Sequence, residues 1–345
     1  MSRSRFPKRV YEVGDFKITV NSEITFQSKS GLSILESAIA EEKTLPYSCK
    51  TGRCSTCKCR LIQGNTKLIA DELGLTDQEK GEGWILSCVR MAESDISIEV
   101  DDFSDIKLPV PKILPCRISE MQFLGCDVLV VKLRLPPSSN FFFIPGQYIE
   151  VIGPGGVRRS YSIAGFYHDQ KIIELHIKKF ENGKMSNYWF GEAKVNDLLR
   201  LYGPLGTFFL RNDEAVDLIF LATGTGIAPV KAILESLVNL PKEKKPNSIT
   251  VLWGGRRESD LYAQLPVTDL HCTYIPVLSR AQEGWNGKRG YVQDVLVSMN
   301  LDLSKCYVYA CGSDSMIRSA KDLLIKNKLP PRNFFSDAFV CSGLD

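Results

Sequence analysis

The chain has little that would tie it to a membrane, a nucleic acid or an oxidising compartment. No apolar run in its 345 residues approaches the roughly 20 needed to span a bilayer. The first residues, MSRSRFPKR, carry charge with no apolar stretch behind it, so no export signal is expected. A net charge of +3 and a pI near 8.2 are too mild to argue for a phosphate backbone as partner. Internal repeats and low-complexity tracts are absent as well. Eleven cysteines are many, yet a long chain without an export signal is not expected to be a disulfide scaffold. A reducing cytosol is the expected setting. A composition of 44% hydrophobic and 24% charged residues is that of an ordinary globular protein, and the length suggests two or three domains.

What is present begins with residues 49–59, CKTGRCSTCKC, and a distant LSC carrying Cys88. Cys49, Cys54 and Cys57 stand at C-x4-C-x2-C, with Cys88 after a long gap, which is the spacing of a plant-type [2Fe–2S] ferredoxin. Three thiolates on one tight loop and a fourth from a remote segment suit such a cluster. Gly52 lies within the loop, where the absence of a Cβ lets backbone N–H groups approach the sulfides. A structural zinc site would want a second paired knuckle, and Cys88 has no CxxC partner. Cys59 is a fifth thiol beside the loop, either a rival ligand or a small buried residue on the strand that leaves it.

The patterning divides the rest. Residues 14–105 read as a small α+β unit of the β-grasp ferredoxin kind. In it DFKITV and SEITF form a hairpin, LSILESAIAEE a helix opened by Ser33, and DISIEV a closing strand. The acidic residues 101–105 and the prolines of LPVPKILP break the pattern, so residues 106–115 are expected to be a stiff linker. Residues 116–212 carry short strands (CDVLVVKLRL, QYIEVIG, RSYSIAGF, IIELHIKKF) that predict a closed antiparallel β-barrel. Residues 213–345 alternate buried strands (DLIFLAT, SITVLWG, CTYIPVL, KCYVYACG) with helical stretches, which predicts an α/β doubly wound parallel sheet.

In the barrel, RSYS at 159–162 precedes GKMS at 183–186. A helix start with a nearby glycine and hydroxyl suits a pyrophosphate, and Arg159 suits a bidentate phosphate clamp. Tyr161 is shaped to lie on a flat ring and Ser162 to hydrogen-bond a ring nitrogen. In the last region GTGIAP follows a strand and opens a helix, the arrangement that brings backbone and helix dipole to a dinucleotide pyrophosphate. Taken singly, these residues also suit plain core and surface positions.

With these motifs in this order, and with GPLG at 203–206 and CGSDSM at 311–316, the chain resembles the ferredoxin–NADP⁺ reductase superfamily, preceded by a plant-type [2Fe–2S] domain. The resemblance implies that Arg159, Gly183 and Ser186 hold the FAD pyrophosphate, that Tyr161 packs on the isoalloxazine and that Ser162 bonds its N5. It implies a flavin contact from the strand bearing His176, and a covering aromatic in Phe339. Gly224, Thr225, Gly226 and Pro229 would bind NAD(P)H, with Cys311 and Gly312 near the nicotinamide C4. Arg256 and Arg280 would lie at the adenosine end, where Arg257 is a further candidate; NADH is favoured, with NADPH not excluded. The catalytic set implied is Cys311, Ser162 and Tyr161.

A hydride carries two electrons and a [2Fe–2S] centre accepts one, so the flavin belongs between them. The expected activity is therefore an NAD(P)H-dependent iron–sulfur flavoprotein reductase in the cytoplasm. The resemblance implies two classes of electron acceptor: a PMP- and iron–sulfur-dependent CDP-sugar 3-dehydrase of 3,6-dideoxysugar synthesis, favoured here, or an aromatic or alkane oxygenase. Lys50, Arg53, Lys58 and Arg60 would form a basic docking rim for it. A non-catalytic iron–sulfur sensor is the reading of a different class.

Overall fold

The computed structural model describes residues 15–100, 106–124, 127–211, 216–238 and 240–339. The expected acidic patch at 101–105 and the boundary at 212–213 lie outside the described residues. By contacts the chain divides into two units, Met1–Leu45 with Lys50–Val100, and Pro46–Cys49 with Asp101–Asp345.

The first unit is a five-stranded mixed sheet in the order Ile24–Gln27, Lys17–Val20, Ile96–Glu99, Lys58–Gln63, Trp84–Leu86. The first two strands are the expected hairpin, and Ile96–Glu99 lies parallel to Lys17–Val20. Helix Ile34–Ala40 buries Ile34, Leu35 and Ala38. Ser33 opens it with a capping box: its hydroxyl accepts from Glu36 N at 3.1 Å while the Glu36 carboxylate accepts from Ser33 N at 2.9 Å. A small ladder pairs Thr66–Leu68 with Arg90–Ala92.

The second unit holds two modules. Six antiparallel strands close a barrel in the order Tyr148–Ile152, Arg158–Tyr167, Ile172–Lys178, Val128–Arg134, Lys112–Leu124, Leu198–Leu205. Its core is aliphatic, with Ile118, Leu129, Val131, Ile149, Ile163 and Leu175 fully enclosed. The linker expectation needs a correction here. Residues 112–115 are the start of the long strand Lys112–Leu124, where Lys112 to Pro115 pair with Gly203 to Arg200. Pro115 is tolerated because a proline costs only its own ladder donor.

The other module is a six-stranded sheet, all parallel, in the order Lys288–Arg289, Thr273–Leu278, Ser248–Gly255, Asp217–Thr223, Cys306–Ser313, Phe334–Phe339. Helix Ile227–Val238 covers it with Val230, Ile233, Leu234 and Leu237. The chain order reverses on either side of Asp217–Thr223, which makes the ends of that strand and of Cys306–Ser313 a topological switch point, where open α/β sheets bind ligands. Among the described residues no helix is long and apolar enough to cross a membrane.

Ser33→Ala removes the hydroxyl half of the capping box, leaving the Ser33 N–H bonded to Glu36, and is expected to cost about 1 kcal/mol. Urea unfolding followed by bleaching of the visible absorbance checks it; an unshifted midpoint would contradict the role given to the cap.

Candidate functional site

In the first unit Cys54, Cys57 and Cys88 are buried, and the Cys57 and Cys88 sulfurs stand 3.2 Å apart as free thiols. Two sulfurs about 2.3 Å from one tetrahedral metal stand roughly 3.8 Å apart, so this pair needs only a small opening to share an iron. The Cys57 thiol is pushed well up, first by its bond to Cys88 and then by burial, so thiolates there call for metal charge. Thr56 Oγ1, in the same loop, is buried with no protein partner, a donor suited to a sulfide. At Gly52, φ is +71° and a Cβ would stand 2.2 Å from the Asp71 carbonyl oxygen, so the loop closes only around glycine. Among the described residues no three His, Cys, Asp or Glu side chains converge on one metal ion. A two-iron cluster with four thiolates needs only two per iron, so the arrangement fits it. Cys49 is grouped with the second unit. Cys59 is fully enclosed, and burial pushes its thiol up to about 12, helped by the Glu72 charge; this is a packed residue rather than a ready ligand. Lys58 is tied to Glu79 at 2.8 Å and lies over the Trp84 ring, so it is engaged within the unit rather than held out on a rim.

In the barrel, strand Arg158–Tyr167 carries Arg159, Tyr161 and Ser162 opposite Val151, Ile149 and Tyr148. The Tyr161 hydroxyl accepts from Trp189 Nε1 at 2.9 Å and the two rings meet edge to face, which fixes the phenol. Gly183 caps the short helix Lys184–Asn187, and the buried Ser186 hydroxyl accepts from Phe180 N at 2.8 Å. The helix continues into a π-turn, Tyr188–Glu192. Strand Arg158–Tyr167 and the helix that starts at Gly183 thus meet through Tyr161 and Trp189, and the arginine, hydroxyls and fixed ring they carry are groups that suit FAD.

His176 is drawn into a different network. Glu174, on the same strand, is buried, and its carboxylate accepts from His176 Nε2 at 3.0 Å and Tyr167 hydroxyl at 2.6 Å, and pairs with Lys231 Nζ at 3.1 Å. In a neutral ring this leaves His176 Nδ1 to accept from the Tyr262 hydroxyl at 3.1 Å. Tyr262 meets Trp253 edge to face at 5.4 Å, and Trp253 Nε1 donates to the Gly224 carbonyl at 3.1 Å. Barrel and dinucleotide loop are thus joined through side chains. Burial alone would raise the Glu174 carboxyl; the His176 bond and the Lys231 charge outweigh it and hold it far below the usual range.

At the switch point the turn Gly224–Gly226 leads into helix Ile227–Val238, which carries Pro229. Thr225 is buried. A Cβ on Gly226 would stand 2.3 Å from the Cys311 carbonyl oxygen, and one on Gly312, at φ +145°, 2.1 Å from Thr223 Oγ1. The two loops interlock closely, at Gly226 backbone on backbone and at Gly312 against the Thr223 hydroxyl. Cys311 is wholly buried, its thiol pushed well up by burial. Arg280 N donates to the Arg256 carbonyl at 2.9 Å, which places both exposed arginines just past the carboxyl ends of two neighbouring strands, while Asp260 ties down the backbone N–H groups of Arg256 and Arg257. Phe339 ends the strand Phe334–Phe339 and is partly buried.

Asp337, which the motifs did not single out, lies two residues before it. It is buried, accepts from Ser48 Oγ at 2.5 Å and bonds Ser162. Burial pushes its carboxyl up to about 6 against the pull of those two bonds. Ser48 is held further by Tyr148, whose hydroxyl donates to its carbonyl at 2.6 Å. An acidic residue inside the apolar FFSDAF was the available signal, as was Glu174 inside IIELHI.

A flavin-type barrel joined to a doubly wound sheet, with a thiolate loop elsewhere on the chain, defines an electron-transfer oxidoreductase. Three family models match in the same order: a 2Fe-2S iron-sulfur cluster binding domain over residues 18–93, an oxidoreductase FAD-binding domain over 115–210 and an oxidoreductase NAD-binding domain over 220–322. The chain is 38% identical, over 93% of its length and 97% of the relative's, to the CDP-6-deoxy-L-threo-D-glycero-4-hexulose-3-dehydrase reductase of Yersinia pestis. It is 30% identical, over 93% and 96%, to the terephthalate 1,2-dioxygenase reductase component 1 of a Comamonas species. Among solved structures the Amycolatopsis cytochrome P450 reductase GcoB superposes with a TM-score of 0.73 at 25% identity, covering 94% of this chain and 98% of that one. The chain belongs to the family of NAD(P)H-dependent iron–sulfur flavoprotein reductases, with a [2Fe–2S] cluster, FAD and NAD(H) as its cofactors.

Gly312→Ala is expected to force the interlocked loops apart and raise KM for NADH about tenfold or more while FAD stays bound; an unchanged KM would contradict the close fit. Glu174→Gln is expected to cost about 2 kcal/mol at pH 7. Because the folded carboxyl titrates below its unfolded value, that difference should hold above about pH 5 and shrink as pH falls. Melting curves of both proteins from pH 7 to 3 check this, and a gap that widens in acid would contradict it.

Proposed function

We propose that the chain passes electrons from NADH through FAD and the [2Fe–2S] cluster to a PMP- and iron–sulfur-dependent CDP-4-keto-6-deoxyglucose 3-dehydrase, in the cytoplasmic synthesis of 3,6-dideoxysugars for O-antigen or lipopolysaccharide. The observation that carries it is the 38% identity, along nearly the whole of both chains, to a reductase named for such a dehydrase. FAD, when bound, would supply the chemistry that couples a two-electron hydride donor to a one-electron acceptor. The chain's own groups do the rest. Arg159 and the helix start at Gly183 and Ser186 neutralise and orient the pyrophosphate. Tyr161, immobilised by Trp189, supports the ring, and Ser162, braced by Asp337, bonds its N5. Gly224, Thr225, Gly226 and Pro229 seat the dinucleotide, Cys311 and Gly312 bound the nicotinamide at C4, Arg256 and Arg280 receive the adenosine end, and Phe339 covers the flavin. His176 holds the barrel to the nucleotide loop through Tyr262. Cys49, Cys54, Cys57 and Cys88 ligate the cluster.

A second reading, that the acceptor is an aromatic or alkane oxygenase, draws on the 30% identity to the dioxygenase reductase component. Purified candidates decide between them: NADH-dependent turnover of the sugar dehydrase, with no coupling to a ring-hydroxylating oxygenase, is the expected result, and the reverse would overturn the assignment. The sensor reading is disfavoured by the assembled flavin and nucleotide residues. The acceptor is expected to dock on the basic residues of the cluster loop. Lys50→Glu with Arg53→Glu should slow reduction of the dehydrase about tenfold at low salt and leave NADH reduction of the flavin unchanged; equal rates would remove the docking role.

A further inference from the structure

Glu72 is a buried carboxylate in the first unit that none of the roles above uses. Its side chain is 3% exposed and holds three donors. Oε1 accepts from Leu86 N at 2.7 Å and Arg90 Nε at 2.9 Å, and Oε2 accepts from Arg90 Nη2 at 2.7 Å. Arg90 Nη1 reaches Thr66 Oγ1 at 3.2 Å. The fork-on-fork pair therefore grips both ends of residues 86–90, the turn that presents Cys88. The turn is closed by Val89 N to the Leu86 carbonyl at 3.1 Å and tied to the cysteine loop by Ser87 N to the Cys57 carbonyl at 3.1 Å.

The segment that carries Glu72 also clasps the cysteine loop. Gly74 N donates to the Gly52 carbonyl at 2.7 Å, and the Ser55 hydroxyl donates to the Gly74 carbonyl. The Asp71 carbonyl is the group that a Cβ on Gly52 would strike. Ile69 N donates to the Val89 carbonyl at 2.9 Å. Residues 69–74 are thus a strap bonded on one side to the Cys54–Cys57 loop and on the other to the Cys88 turn, and Glu72 with Arg90 is its only ion pair among the described residues.

We propose that the Glu72–Arg90 pair is a positioning device for the iron–sulfur cluster, setting the Cys88 turn against the three-cysteine loop while adding no net charge beside the irons. This rests on the cluster assignment made above. The neutrality matters because a cluster's reduction potential responds to nearby charge and to hydrogen bonds around its sulfurs. A lone buried carboxylate would disfavour the reduced cluster, and a lone guanidinium would favour it. The pair orders the turn and cancels its own field.

The test uses the full-length holoprotein, with iron release to a chelator, the EPR spectrum of the reduced cluster and its midpoint potential as readouts. Glu72→Gln is expected to speed iron release about tenfold or more, as loss of an outer-shell partner commonly does, and to shift the midpoint upward. Arg90→Gln should speed release similarly and shift the midpoint downward. Unshifted midpoints, or shifts of the same sign, would overturn the proposal. Where Arg90→Gln fails to retain iron, Arg90→Lys keeps the charge and loses the fork: a wild-type midpoint with faster release supports the proposal, and wild-type release overturns it. Ser28→Ala, which removes the acceptor of the Phe16 N–H in the hairpin, lowers stability in the same unit away from the strap and the Cys88 turn; release accelerated as much as in Glu72→Gln would reduce the pair to general stability and overturn the assignment. Iron content and spectra of the protein as purified separate this from failure of the cluster assignment, since a colourless wild type would end both.

Discussion

Two electrons leave a reduced nicotinamide together, and an iron–sulfur centre can take only one. That mismatch is the constraint behind the order of modules in this chain. A dinucleotide fold, a flavin barrel and a thiolate loop serve one purpose only if the flavin stands between the other two. Each module meets it with a rigid frame and a loop at the frame's edge. In the parallel sheet the frame is a topological switch point; in the barrel it is the strand Arg158–Tyr167 facing the helix start at Gly183. In the first unit it is the pair of loops that carry Cys54, Cys57 and Cys88.

Close backbone approach is the shared means. At Gly52, Gly226 and Gly312 a Cβ would collide at 2.1 to 2.3 Å with a neighbouring oxygen. Such contacts leave no slack, so each loop has one arrangement rather than several. Buried charge is the complement. Glu174, Asp337 and Glu72 are all enclosed, and each is bonded by more than one donor. An enclosed carboxylate with several fixed donors ties down every element that supplies one, because freeing any of them strands a charge in low dielectric.

The architecture was largely legible because its signals are local. Cysteine spacing, RSYS before GKMS, and GTGIAP after a strand each depend on residues close in sequence, and the structure assembles them as the pattern implies. The expectation failed where a local signal was misleading. The prolines at 109, 111 and 115 read as a linker, yet residues 112–115 pair with a strand about ninety residues on, and tertiary pairing overrode the local cue. Lys58 looked like a docking charge from its place in the loop, and only the fold shows Glu79 beside it. His176 looked like a flavin contact, while both ring nitrogens meet Glu174 and Tyr262. The partners of Asp337 and Glu72, Ser48 and Arg90, were hidden for the same reason. No spacing rule links partners whose meeting depends on how the sheets are wound.

The relay requires a fixed order of reduction. Rapid mixing with NADH under argon, followed by absorbance and freeze-quenched EPR, should show the flavin band bleaching first and the signal of the reduced cluster growing afterwards. In a variant with the flavin site emptied, NADH should leave the cluster oxidised. A cluster reduced by NADH without flavin, or ahead of it, would contradict the relay.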